Sequence, residues 1–220
     1  MDDTIFEFKS RLVLTELLGK RASNLFELLE GIKVVPLTSI YHHTHRFLQQ
    51  HHLLSPEPPN DFAYWVTNML NDELAGEKLA SIDVMQFNRL ADLRNKLVSL
   101  LSNYLSEYAE RITQSAPEGE EFHFMSSRIF VLPTPWRASN LHEFIECLRN
   151  VSIHSIYYHM FEARLRLEKG ENDFSIWLRS NGYEGAAEEL SKLDPYTFTL
   201  EGLRTRILGI VSGAEGRVYD

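Results

Sequence analysis

Four side chains at matched positions could do chemistry: His43, Asp61, His159 and Asp173. An imidazole held by a carboxylate is the arrangement that orients a general base or a metal-bound histidine. The pairs His43/Asp61 and His159/Asp173 are therefore the candidate catalytic residues, acting as general bases or ligands. The same bond in a packed interior fixes the angle between two helices, since buried polar groups usually find such partners. Leaving a buried ring N–H unpaired costs ~1–3 kcal/mol. A third role for the aspartates is to sit in the first turn of a helix, where the dipole favours negative charge.

A second cluster is one-sided. Five of the nine histidines lie between positions 42 and 52: His42, His43, His45, His51 and His52. His42 and His45 are three apart and share a face of a helix, so with Glu57 they form a candidate divalent-metal site. The spacing matches no established metal motif, and a solvated helix end rich in histidine is the competing reading. Tyr41, Tyr157, Trp65 and Trp177 are candidate ligand-binding residues if they face a cavity between halves. As core residues they would pack, with one hydrogen bond for the polar atom. Gly-rich phosphate loops, Gly-x-Ser-x-Gly, His-Glu-x-x-His and Cys-x-x-Cys are all missing from the sequence. Their absence weighs against NTPases, α/β-hydrolases and zinc proteases.

The elements that must position these residues repeat along the chain. Arg21-Ala22-Ser23-Asn24-Leu25 returns as Arg137-Ala138-Ser139-Asn140-Leu141, and Ser39-Ile40-Tyr41 as Ser155-Ile156-Tyr157, both displaced by 116. Asn60-Asp61-Phe62 with Trp65 returns as Asn172-Asp173-Phe174 with Trp177, displaced by 112. A fixed displacement is the mark of a repeat. Phe6-Glu7-Phe8 and Phe122-His123-Phe124 open each copy with aromatic alternation, and Arg128 to Leu132 read as a short strand ending at Pro133. Leu12 to Leu18 fits strand or helix.

Asn24/Glu27 and Asn140/Glu143 have capping-box spacing. Leu25, Leu28, Leu29 and Ile32 follow at i, i+3, i+4, i+7, matched by Leu141, Phe144, Ile145 and Leu148, which predicts one amphipathic helix per copy. Ser39 and Ser155 read as caps of a second helix, and Asn60 and Asn172 as caps of a third. A fourth spans 73–82 and 185–193. A last one carries Leu90, Leu93, Leu97 and Leu101, or Leu200, Leu203, Ile207 and Ile210. The polar, Pro- and Gly-containing stretch 113–120 reads as a linker. The expected organisation is repeat one over 1–116 and repeat two over 117–220.

The pattern Ser155-Ile156-Tyr157-Tyr158-His159 followed by Asn172-Asp173-Phe174-Ser175-Ile176-Trp177-Leu178 resembles an uncharacterised bacterial and archaeal helical domain of unknown function. Copy one matches through Tyr41, His43, Asn60-Asp61-Phe62 and Trp65, with His42 where copy two has Tyr158. The resemblance covers most of the chain, twice, and implies a fold without implying an activity.

Composition bounds the rest. Over 220 residues, 44% hydrophobic and 24% charged is ordinary globular usage. The net charge of −9, from 31 acids against 22 bases, and the lack of a basic stripe argue against nucleic acid. No run approaches the ~18 apolar residues of a membrane span. The lone Cys147, set among Phe144, Ile145 and Leu148, reads as a small core residue. The expected protein is mostly α: two tandem repeats of about five helices each, related by a pseudo-two-fold axis, each opened by a short extended strand. It is expected to be cytoplasmic, without a required cofactor, and to bind an unidentified protein or small molecule in a groove between the halves. The alternative is an enzyme or metal protein using the two His–Asp pairs.

Overall fold

The aromatic alternation at Phe6-x-Phe8 and Phe122-x-Phe124 begins two strands far longer than expected. In the computed structural model, which describes residues 5–47, 59–163, 165, 171–193 and 197–216, β1 spans Phe6–Ala22 and β2 spans Phe122–Ala138. They form a two-stranded sheet. The ion pairs Glu7–Arg137 and Glu16–Arg128 lie on one register and run in opposite senses, so the ribbon is antiparallel. The expectation of helical repeats with only a short opening strand is thus overturned: each strand has 17 residues. β2 does not end at Pro133 but continues through Pro133 and Pro135. Proline is tolerated there because a two-stranded ribbon has outer edges at which no ladder N–H is required. Gly19, at φ +69° inside β1, takes the left-handed conformation that a side chain would resist and marks an irregularity in the strand.

Ten α-helices occur among the described residues: α1 Leu25–Val34, α2 Leu37–Tyr41, α3 Asp61–Asn68, α4 Glu73–Ala80, α5 Leu90–Glu107, α6 Leu141–Asn150, α7 Ile153–Tyr157, α8 Asp173–Ser180, α9 Glu184–Ser191 and α10 Leu200–Gly216. Asn24 caps α1 by accepting from Glu27 N–H at 2.9 Å, and Glu27 reaches back to Ser23 N–H at 2.8 Å. Asn140 and Glu143 repeat both bonds at α6. Such a cap is worth about 1 kcal/mol. Asn60 and Asn172 cap α3 and α8, and their amide groups also donate to Leu79 and Leu190 carbonyls. Ser39 and Ser155 are not caps. α2 starts after Pro36, and α7 after Ser152, whose hydroxyl accepts from Ser155 N–H at 3.3 Å. Both serines are fully buried one turn inside.

The chain forms two compact units, Val13–Arg128 and Met1–Leu12 with Ile129–Asp220. Each strand is therefore divided, with its two ends in different units. The expected boundary at 116–117 and the stretch 113–120 both fall inside Val13–Arg128, where Ser115 bridges Asn24 and Ala116 N–H bonds Ser23 C=O at 2.7 Å.

The core of the Val13–Arg128 unit joins Leu25, Leu28, Ile32, Phe62, Leu97 and Leu101 to Phe122 and Phe124. The other unit joins Leu141, Phe144, Leu148, Phe174 and Ile207 to Phe6 and Phe8. The opening aromatics of the chain thus complete the core built from the chain's second half, and Phe122 and Phe124 complete the core of its first half. Each fully buried aromatic contributes on the order of 2–3 kcal/mol of hydrophobic stabilisation, so each core depends on a segment from the other half of the sequence.

Candidate functional site

α2 and α7 each run directly into a π-helical turn, His42–Arg46 and Tyr158–Glu162. This widened geometry re-aims side chains and is frequent at functional positions. His43 and His159 sit in these turns, 0% and 3% exposed, while Asp61 and Asp173 open α3 and α8 at 29% and 18%. His43 Nδ1 lies 2.5 Å from Asp61 Oδ2, and His159 Nδ1 lies 2.7 Å from Asp173 Oδ2. The other ring nitrogen settles the tautomer. Met125 N–H donates to His43 Nε2 at 2.9 Å, and Lys9 N–H donates to His159 Nε2 at 2.8 Å. A nitrogen that accepts must carry its lone pair rather than a proton, so Nδ1 bears the proton and donates to the carboxylate.

That assignment limits the chemistry. With Nε2 engaged by a backbone N–H, neither ring offers a lone pair to a substrate proton or a metal ion. Each histidine instead joins three elements: a π-helical turn, the first turn of the following helix, and the outer edge of a strand. Aromatic rings close over both, Phe122 at 4.7 Å from His43 and Phe6 at 4.9 Å from His159, centroid to centroid.

The described members of the one-sided histidine cluster, His42, His43 and His45, do not converge on a common point. His42 Nδ1 is 2.8 Å from Ser127 Oγ. Thr44 donates its hydroxyl to Ile40 C=O at 2.6 Å, so its oxygen accepts from His45 Nδ1 at 3.0 Å, and the His45 ring stacks on Tyr41. Burial pulls the pKa of His45 down to about 4. Burial, and then His43 and Arg46, bring His42 to about 4, and both rings are neutral near pH 7. Among the described residues no three His, Cys, Asp or Glu side chains are placed to hold a metal ion. Glu57, His51 and His52 lie outside the described residues.

Tyr41 and Tyr157 are 4% and 0% exposed, and Trp65 and Trp177 are each 5% exposed. Trp65 Nε1 donates to Glu120 C=O at 2.7 Å. The Trp177 ring stacks on Phe144 at 4.6 Å and also forms part of the wall of an open cleft. That cleft, ≈ 540 Å³, lies in the unit that contains His159. Phe6, Ile176 and Trp177 form its apolar wall, while Glu7, Lys9, Tyr158, Asp173 and Ser180 bring polar groups of both signs. Cys147 is buried, its thiol pushed up by burial and donating to Arg137 C=O, unlike a nucleophile.

Two further groups have no counterpart in the sequence reading. Arg11 is ion-paired with Glu162 in the interior, at 2% and 7% side-chain exposure, and its guanidinium lies 3.8 Å above the Tyr157 ring. The positions are 151 residues apart, and no motif joins them. The second group is the pair of backbone donors, Lys9 and Met125. A main-chain N–H leaves no signature in residue type, although the Phe-x-Phe runs beside them were visible.

The chain belongs to the family of unknown function DUF5752, whose model matches residues 3–212. It is similar to the solved structure of OrfY from Thermoproteus tenax, with 31% sequence identity and a TM-score of 0.80, over 97% of this chain and 96% of that one. No curated protein matches the sequence.

Proposed function

We propose that the protein is a non-enzymatic binding module whose small-molecule site is the cleft beside His159. The observation that carries this reading is the occupied Nε2 of both histidines. It leaves the His–Asp pairs a positioning role and leaves the adjacent cleft as the place for a ligand. An apolar wall with a few convergent polar groups, in ≈ 540 Å³, is the usual form of a small-molecule site. Phe6, Ile176 and Trp177 would cover the ligand's apolar body. Lys9, Glu7, Tyr158 and Ser180 would meet polar groups at its ends. His159 holds the floor by fixing β1 through Lys9 N–H.

Ser180→Trp, a substitution at the rim, tests this by filling the cleft. A panel of small amphipathic metabolites is screened by shifts in unfolding temperature and by Trp177 fluorescence. A hit on the parent that is lost in Ser180→Trp, with both proteins equally stable, supports the assignment. Hits that persist unchanged in Ser180→Trp place the ligand elsewhere. Turnover of a ligand that survives His159→Gln and His43→Gln would show that the protein is an enzyme working through other groups.

A further inference from the structure

The repeat supplies an internal comparison for the cleft beside His159. Phe6, His159, Asp173 and Trp177 have Phe122, His43, Asp61 and Trp65 as counterparts, so both copies share the frame of the cleft. Its charged rim is not shared. Glu7 and Lys9 stand where the repeat has His123 and Met125, and Ile176 stands where it has the larger Tyr64. On a common frame, the side chains that differ are the ones that set what a site accepts.

The two rim charges of β1 are placed differently. Glu7 lies 3.4 Å from Arg137 across the ribbon. On the register set by Glu7–Arg137 and Glu16–Arg128, the residue opposite Lys9 is Pro135, which has no charge to offer. Among the described residues the Lys9 ammonium forms no ion pair. Asp173 lines the same cleft with 18% of its side chain exposed. The bond it accepts from His159 comes from a neutral ring, because Nε2 of that ring takes the Lys9 N–H. The carboxylate therefore keeps its negative charge, and its two oxygens have lone pairs for several donors. One imidazole and its two hydrogen bonds link the Lys9 backbone to this carboxylate, so a cation and an anion stand close together beside Phe6, Ile176 and Trp177.

Resting on the reading of this cleft as the ligand site, we infer that its ligand is a free α-amino acid with an apolar side chain. The ligand's carboxylate meets the Lys9 ammonium, and its α-ammonium meets the Asp173 carboxylate. Its side chain lies against Ile176 and Trp177. A simple acid would face repulsion from Asp173 and a simple amine repulsion from Lys9, whereas a zwitterion satisfies both. A peptide holds its two charged ends too far apart to do so.

Isothermal titration calorimetry on the full chain tests this with L-phenylalanine, L-leucine, 2-phenylethylamine and 3-phenylpropionate. The last two are phenylalanine without its carboxylate and without its ammonium. The parent is expected to bind L-phenylalanine at least roughly tenfold more tightly than either, since each lacks one charge-assisted bond. Lys9→Met installs the repeat's residue and keeps the backbone N–H on His159, so its unfolding midpoint should match the parent's. This variant is expected to bind L-phenylalanine about tenfold more weakly and 2-phenylethylamine unchanged, because only the first has a carboxylate for Lys9. Equal binding of L-phenylalanine and its two analogues by the parent overturns the assignment, and so does a parent that binds neither amino acid at millimolar concentration. A ligand of another charge type that is lost in Ser180→Trp overturns it while leaving the cleft as the ligand site. L-Phenylalanine bound equally by the parent, Lys9→Met and Ser180→Trp overturns the assignment and the cleft together.

Discussion

Lys9 gives its backbone N–H to Nε2 of His159, 150 residues further along the chain, at 2.8 Å. The mirror of this bond is Met125 to His43 at 2.9 Å. In each case a strand segment from one half of the sequence is held by a histidine from the other half, and the carboxylate behind the ring keeps it in the tautomer that can accept. The bond is a clasp, and its consequences can be measured.

His43→Phe and His159→Phe each remove the acceptor at the strand edge and leave the aspartate without its donor. Each is expected to cost about 1–3 kcal/mol, the usual penalty for a buried polar group losing its partner. Urea unfolding followed by circular dichroism measures the change. A variant as stable as the parent would show that the clasp contributes nothing.

The divided strands predict a crossed pattern of damage. Phe8 and Phe124 are each 0% exposed in the core made by the opposite half. Phe8→Ala should cost about 3–5 kcal/mol and loosen α6, α8 and α10. Phe124→Ala should loosen α1, α3 and α5. Hydrogen exchange resolved by peptide distinguishes the two, and damage confined to the mutated residue's own half would contradict the exchange of strands.

Truncation tests the same arrangement. Residues 13–128 contain a whole unit, with its stretch of β1, its stretch of β2 and both aromatics. This fragment is expected to unfold cooperatively when expressed alone. Residues 1–116 lack Phe122 and Phe124 and are expected to unfold at lower temperature and with less cooperativity, as read by calorimetry.

Stability should fall in mild acid. His42 and His45 have folded pKa values lowered to about 4 from 6.5, chiefly by burial. Between these limits the unfolded chain binds more protons than the folded one, so stability rises with pH from 4 to 6.5 and is level above. For His45, fully enclosed, the loss on acidification is on the order of 3 kcal/mol. His45→Phe keeps an aromatic at the site and should flatten that slope when unfolding free energy is plotted against pH.

Glycine at position 31 stands where the repeat places Cys147. A Cβ there would overlap the ring of Phe124, so Gly31→Ala must displace the inserted aromatic. A loss of about 1–3 kcal/mol is expected from overpacking. The double variant Gly31→Ala with Phe124→Leu should recover part of it, and a thermal melt decides.

Much of the local structure was legible in the residues themselves. Asn24 with Glu27 and Asn140 with Glu143 form caps as their spacing requires, because a cap joins groups three residues apart. The i, i+3, i+4, i+7 stripes at Leu25–Ile32 and Leu141–Leu148 bury as read. The aspartates opposite His43 and His159 were also legible, since the matched spacing singled out two residue types that bond when brought together. The length of the strands was not. Leu12 to Leu18 and Ile129 to Leu132 are apolar without alternation, and short apolar runs fit helix and strand alike. Pro133 suggested a stop only because the ribbon's outer edge was not foreseen.

The sequence by itself therefore determined four asparagine helix caps, at Asn24, Asn60, Asn140 and Asn172, the buried faces behind them and which histidine meets which aspartate. All of these rest on contacts between near neighbours or on residue type. Tertiary structure alone decided where Phe6, Phe8, Phe122 and Phe124 insert, that Arg11 pairs with Glu162, and that both histidines spend their second nitrogen on a strand. Two nearly identical Phe-x-Phe segments fit either core equally well on pattern grounds. Only the path of a long antiparallel ribbon assigns each to the half of the chain that did not encode it.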